Sequence, residues 1–108
     1  MIVKNRIKKY SEFQKVIAAE NVKKTCFFVS YSLANDLGYS RFGISVPKKI
    51  GTAVIRNKIK RQIRAILAKE LDMNSSFDYI FIARRSYDIN KFNETASDIV
   101  SLLKKVGK

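Results

Sequence analysis

Residues 48–64, KKIGTAVIRNKIKRQIR, carry seven basic side chains and no acid. The same stretch places Ile55, Ile59 and Ile63 on one face, continued by Ile66 and Leu67, which is the i, i+4, i+8, i+11, i+12 spacing of a helix with a single apolar stripe. Gly51 breaks the preceding segment and Thr52 supplies an N-cap, so the spacing predicts a helix from there to about Lys69. On the helical wheel Asn57, Lys60, Arg61 and Arg64 fall opposite the stripe, and Arg56 lies at its seam. An ordinary solvated face mixes signs so that acids and bases pair at i, i+4. Seven bases without an acid forgo that pairing and suit a surface that lies against phosphates.

The imbalance recurs at the scale of the chain. Its 22 Lys and Arg against 9 Asp and Glu give a net charge of +13. Residues 1–69 hold 16 bases and 3 acids, whereas residues 70–108 hold six of each. Charge loaded into one part of a chain implies one binding face. At 108 residues and 46% hydrophobic content there is enough for one core, so residues 1–108 are expected to form a single RNA-binding domain. Residues 1–10, with Lys4, Arg6, Lys8 and Lys9, read as an extended basic arm.

Several function classes drop out. With no histidine there is no histidine base, triad or metal ligand. Asp72, Asp78 and Asp88 are scattered over a helix end, a strand start and a loop, where capping explains them better than a metal site. GxGxxG and GxxxxGK[ST] patterns are absent. Binding, with no catalytic side chain, is the expectation. The lone Cys26 offers neither an internal disulfide nor a metal site and fits a reducing cytoplasm. No run approaches 18 apolar residues, and MIVKNRIKKYSEF lacks the apolar core of a secretory signal. A cytoplasmic location and no membrane partner follow, since the apolar stripe of the basic helix has a sheet to cover instead of lipid.

The remaining elements set the fold class. A first helix is expected from Ser11, with Gln14 completing a capping box and Phe13, Val16 and Ile17 sharing a face. Thr25–Leu33 alternates, with Phe27, Val29, Tyr31 and Leu33 on one side, and predicts a strand. After a turn at Asn35, Asp36 and Gly38, Phe42, Ile44 and Val46 alternate until Pro47, so these two strands are expected to form an antiparallel hairpin. Asp78–Arg84, DYIFIAR, is apolar on both faces until its end, as in a strand inside a sheet. A last helix from about Asn90 to Val106 directs Phe92, Ala96, Ile99, Leu103 and Val106 inward, with Lys104 and Lys105 near its negative end and Gly107 beyond. The expected fold is α+β, a single-domain α/β sandwich of order αββαβα. Its strand, basic helix and strand form a β-α-β unit joining parallel neighbours, right-handed by general rule.

At RFGISVPKKIGTAVIRNKIKRQIR the chain resembles the protein subunit of bacterial ribonuclease P. The resemblance turns on Arg56-Asn57-x-x-Lys60-Arg61-x-x-Arg64, preceded by Gly43, Ser45, Val46, Lys48, Lys49 and Gly51. It extends to RIKKYSEFQKV at 6–16, FVSY at 28–31 and DYIFIAR at 78–84, so nearly the whole chain is covered. The resemblance implies a left-handed crossover and a fold like the second domain of ribosomal protein S5. It implies a partner RNA that hydrolyses one phosphodiester of precursor tRNA with Mg²⁺, held mainly by that RNA, while the protein binds the RNA and the single-stranded 5′ leader. By the same resemblance Lys48, Lys49, Arg56, Asn57, Lys60, Arg61 and Arg64 contact the catalytic RNA. Phe13, Ile17, Tyr31 and Arg84 line a cleft for the leader, where aromatic faces stack unpaired bases. Ile17 stands where many relatives have an aromatic, KKTC at 23–26 replaces an Asn-Arg pair, Pro47 replaces a serine, and Ser86 replaces a proline.

Residue pattern alone leaves other roles open. Phe13 and Tyr31 also fit a plain core, Arg56 and Arg84 fit structural ion pairs, and Asn57 fits a loop hydrogen bond. A non-catalytic RNA-binding module, such as a ribosomal protein, shares the charge and architecture. A DNA-binding protein needs base-reading residues, and the exposed helix face offers only Asn57 and Gln62.

Overall fold

In the computed structural model, which describes residues 6, 7, 9–19, 21–70 and 74–105, the chain runs α1 (Tyr10–Ala18), β1 (Val22–Lys24), β2 (Phe28–Ala34), β3 (Arg41–Ser45), a 3-10 turn (Lys48–Ile50), α2 (Ala53–Glu70), β4 (Phe77–Ala83) and α3 (Phe92–Lys105). The four strands form one mixed sheet of order β1-β2-β4-β3. The class is α+β as expected, with one strand more. Val22–Lys24 is short and exposed throughout, so it carries no alternation from which a strand could be read.

The doubly apolar β4 takes the central place. It pairs antiparallel with β2, with Ile80 opposite Tyr31, and parallel with β3, with Ile80 opposite Gly43. The expected hairpin between β2 and β3 therefore does not form. The turn is present, with Gly38 at φ 81, a conformation that costs glycine little, but β4 lies between the strands it joins. A strand apolar on both faces gains most where both faces are covered and both edges are hydrogen-bonded. The sequence-adjacent hairpin is instead β1 with β2, where Lys24 opposes Val29. Its turn is tied by the Phe28 N–H donating to Thr25 Oγ1 at 3.1 Å. The strand thus starts at Phe28 instead of Thr25, and Phe27 turns into the core instead of sharing a face with Val29.

Helices cover both faces. On one, Ile59, Ile63, Ile66 and Leu67 of α2 and Ile99 and Leu102 of α3 bury against Phe28, Phe42, Tyr79 and Phe81. Phe28 stands edge-on to Phe81 and to Tyr87, at centroid distances of 6.4 and 5.5 Å. Burial pushes the Tyr87 hydroxyl up to about 12. On the other face α1 buries Val16, and Ile80 beneath is fully buried.

Two helix expectations are corrected. The first helix begins at Tyr10 with Lys9 as its N-cap and no side-chain cap, so Ser11 lies inside it and no capping box forms. The Phe13 N–H instead donates to the Lys9 carbonyl at 3.1 Å. In α3, Phe92 is 41% exposed while Thr95 and Leu102 are buried. Thr95 tolerates burial because its hydroxyl donates to the Lys91 carbonyl at 3.0 Å. Of the expected arm, Lys4 and Lys8 lie outside the described residues, as do Asp72, Val106 and Gly107. Arg6 bridges Phe42 in parallel, and the Ile7 N–H donates to the Phe42 carbonyl at 2.9 Å, so the arm's end is seated on the outer edge of β3. Among the described residues no helix is long and apolar enough to cross a membrane.

Candidate nucleic-acid interface

The basic helix is built as its spacing predicts. Pro47 ends β3's extended run, and Lys48 and Lys49 sit exposed on the 3-10 turn that follows. Gly51 admits the start of α2 because a Cβ there would lie 3.1 Å from the Ile55 side chain. Thr52 caps the helix, its Oγ1 accepting from the Ile55 N–H at 3.3 Å. With Ile59, Ile63, Ile66 and Leu67 buried, Asn57, Arg61 and Arg64 face outward and are exposed, while Lys60 is half-buried. Arg56, at the seam, donates from Nε to the Gly51 carbonyl at 3.3 Å. That bond holds the turn to the helix, and it is not an ion pair.

Gln62 does not join the outward face. Its Nε2 donates to the Ile89 carbonyl at 2.9 Å and its Oε1 accepts from the Tyr87 hydroxyl at 2.8 Å. One of the two residue types that could read bases is thus spent on the fold, which leaves a cationic surface with Asn57 its only amide.

The second part of the site is shaped by α1. The chain passes from Ile7, bonded to β3, to Val22, paired with Tyr31 of β2, so α1 crosses the strands. Beneath it runs the row Gly43, Ile80, Tyr31. The Phe13 ring lies on this row, so close that a Cβ at Gly43 would come within 2.7 Å of it. Gly43 is therefore a close-approach glycine in a strand. Relative to the buried Val16, helical spacing puts Glu12 on one flank of α1 and Phe13 and Ile17 on the other.

On the Glu12 flank the Arg41 guanidinium donates to Glu12 Oε2 at 2.7 Å and to both Asp78 oxygens, at 3.0 and 2.7 Å. Asn35 Nδ2 adds a bond to Asp78 Oδ1 at 2.8 Å. The hydrogen bond from Arg41 holds the Glu12 carboxyl below its ordinary value, and the two carboxylates hold the Arg41 proton more tightly than usual. These are the ion pairs found among the described residues. The cluster has no signature in the sequence, because its members are distant along the chain and meet only through the register that sets Arg41 opposite Asp78.

A cavity of about 540 Å³ opens beside this cluster, lined by Glu12, Lys15, Leu33, Asn35, Arg41 and Asp78, and the Phe13 flank opens likewise. A groove of about 540 Å³ has Val29, Ile82 and Pro47 as its apolar wall and Lys49, Arg84 and Arg85 as its rim. No acid among the described residues lines it. Arg84 is positioned by a backbone bond, NH1 to the Thr25 carbonyl at 2.7 Å. Ser86, at the position where the resemblance expects proline, donates its hydroxyl to the Cys26 carbonyl. Tyr31 stands two residues along β2 from Val29 and on the same face. Phe13, Ile17 and Tyr31 are each half-buried. A smaller cavity of about 160 Å³ links the two parts, with Phe13 and Gly43 on one side and Arg6, Lys60 and Arg64 on the other. The structure thus brings Phe13 to the basic helix, and sets Arg84 at the far end of the Phe13 flank.

Fold and site together define a basic α+β protein with an unneutralised helix face beside an open groove. The sequence profile of ribonuclease P matches residues 1–107. The chain is 41% identical over 102 residues to the ribonuclease P protein component of Mesoplasma florum, covering 93% of both. Its fold matches the RNase P protein from Thermotoga maritima at a TM-score of 0.83, with 27% identity, covering 95% of this chain and 98% of that one. It matches the RNase P protein from Staphylococcus aureus at 0.78, with 31% identity, covering 100% and 97%. The chain belongs to the ribonuclease P protein family, whose members are subunits of a ribonucleoprotein endonuclease that processes tRNA.

Proposed function

We propose that this chain binds the catalytic RNA of ribonuclease P through Lys48, Lys49, Arg56, Asn57, Lys60, Arg61 and Arg64, and receives the 5′ leader of precursor tRNA in the groove beside α1. The observation that carries the proposal is the contrast in neutralisation. No ion pair among the described residues involves any of these six bases, although holding six like charges on one surface disfavours the compact state. A polyanion relieves that repulsion and releases its counterions. Beside the groove, the half-buried Phe13 and Tyr31 are assigned to stack unpaired bases, worth about 1–3 kcal/mol each without demanding a sequence. Ile17 adds apolar contact without stacking, and Arg84 serves a backbone phosphate.

The chemistry belongs to the RNA in this assignment. Among the described residues no three metal-binding side chains come together, and Glu12 and Asp78 are engaged by Arg41. In this reading the Mg²⁺ of the cleavage step is held by the RNA, and no step is routed through a protein carboxylate. The protein acts by holding substrate and catalyst in register, which lowers the entropic part of the barrier.

Single-turnover cleavage of a 5′-extended precursor tRNA by a bacterial ribonuclease P RNA, at near-physiological Mg²⁺, tests the assignment. Rescue of correct 5′ maturation by the chain, with no cleavage by the chain alone, is expected. Tight, salt-sensitive RNA binding without rescue would point instead to a non-catalytic RNA-binding module.

A further inference from the structure

The groove floor extends further than the residues assigned above. Ser45, Ile82 and Val29 are neighbours in register across β3, β4 and β2, and β1 adds one more member to this row, Lys24, which is paired with Val29. Side chains directly opposite one another in an antiparallel ladder share a face. Because Val29 lines the groove, Lys24 stands on the groove's face of the sheet, at its outer edge. Lys23, opposite the buried Ser30, belongs to the other face. Both lysines are exposed, and β1 pairs only with β2.

Cations are therefore spaced across the sheet over an apolar floor. Lys49 follows β3, Arg84 and Arg85 follow β4 with the Arg84 guanidinium reaching the Thr25 carbonyl at the β1–β2 turn, and Lys24 stands on β1, three strand spacings, about 14 Å, from β3. An extended polyanion lying beside α1 meets positive charge from the β3 side to the β1 side. An apolar floor between spaced cations is the arrangement that suits a single strand, whose bases are free to meet the floor while its phosphates meet the cations.

We propose that Lys24 is a phosphate-binding subsite at which the single-stranded leader leaves the sheet across the edge of β1. The proposal rests on the leader-binding role assigned to the groove and gives that role a direction and an end. The competing role for an edge lysine is to block strand addition by another chain. Lys23, on the same edge and the other face, shares that role without sharing the groove, and so serves as the control.

The experiment measures the affinity of the chain, reconstituted with a bacterial ribonuclease P RNA, for precursor tRNAs whose leaders lengthen one nucleotide at a time. In the unaltered complex affinity rises with leader length to a plateau. Lys24→Ala should leave the shortest leaders unaffected and weaken binding of the longest about two- to fivefold, the size of one exposed charge contact. Its salt slope on long leaders should fall by about 0.7. Lys24→Arg should restore both, and Lys23→Ala should change neither. Equal effects of Lys23→Ala and Lys24→Ala, an effect independent of leader length, or no effect would each overturn the subsite. Absence of any leader dependence in the unaltered complex would overturn the groove's assignment itself.

Discussion

On one side of α1, Arg41 lies between Glu12 and Asp78, with an oxygen of each 2.7 Å away. On the other, Lys49, Arg84 and Arg85 border a groove that no carboxylate among the described residues lines. The same residue types serve opposite ends. The Glu12 flank has a cavity of the same size, about 540 Å³, but its guanidinium is bound by two carboxylates, so it fastens a helix to a strand and has no free charge to offer an anion. At the Phe13 flank and on α2, positions are fixed by backbone bonds, Arg84 to Thr25 and Arg56 to Gly51, which orient the side chain without cancelling its charge. Neutralisation, more than exposure, separates the structural cations from those proposed to bind RNA.

The largest effect that tests this contrast comes from Arg41→Ala. Removing it leaves Asp78, only 4% exposed, without its counter-charge, and breaking such a pair costs about 3–5 kcal/mol. The urea midpoint should fall sharply, while RNA affinity of the remaining folded protein stays near normal. Weakened affinity at unchanged stability would erase the distinction between the flanks. Next in size is Gly43→Ala, whose methyl group would meet the Phe13 ring. Overpacking of this kind costs about 1–3 kcal/mol. If Phe13 serves the leader, affinity for leader-bearing precursor should fall more than affinity for mature tRNA. Equal decreases would make Phe13 a core residue only. The smallest effect is that of Glu12→Gln. Because the folded-state carboxyl is held below its ordinary value of 4.5, its stabilisation is present above that value and disappears as pH falls through the lowered one. The variant should therefore be less stable than the parent at pH 7, and the gap should close on acidification below pH 4.5. A gap that widens in acid would contradict the ion pair.

Local pattern made the basic helix fully legible. Its period, its Thr52 cap and its seam residue Arg56 depend on neighbours within one or two turns. Strand order was not legible, because alternation and a turn at Gly38 say that a chain reverses without saying which strand lies beside it. β4 could be read as buried on both faces, yet that it separates β2 from β3 emerges only from the whole sheet. β1 left no trace, as three exposed residues carry no period. The residues proposed for the leader could be named by resemblance, but the division of the α1 face into a neutralised and an unneutralised flank depends on Arg41 meeting Asp78 across the β3–β4 ladder. Gln62 shows the reverse case, a polar residue on an apparently free face that the fold consumes through Tyr87 and Ile89.

The most direct test is the salt dependence of binding to ribonuclease P RNA by the double variant Arg61→Ala, Arg64→Ala, set beside its urea midpoint. Both side chains are exposed on α2 and have no ion-pair partner among the described residues. The slope of log affinity against log salt should fall by about two, one for each phosphate that is no longer neutralised, with stability changed by less than about 0.5 kcal/mol. An unchanged slope in a protein that remains folded would contradict the assignment of the unneutralised helix face to RNA.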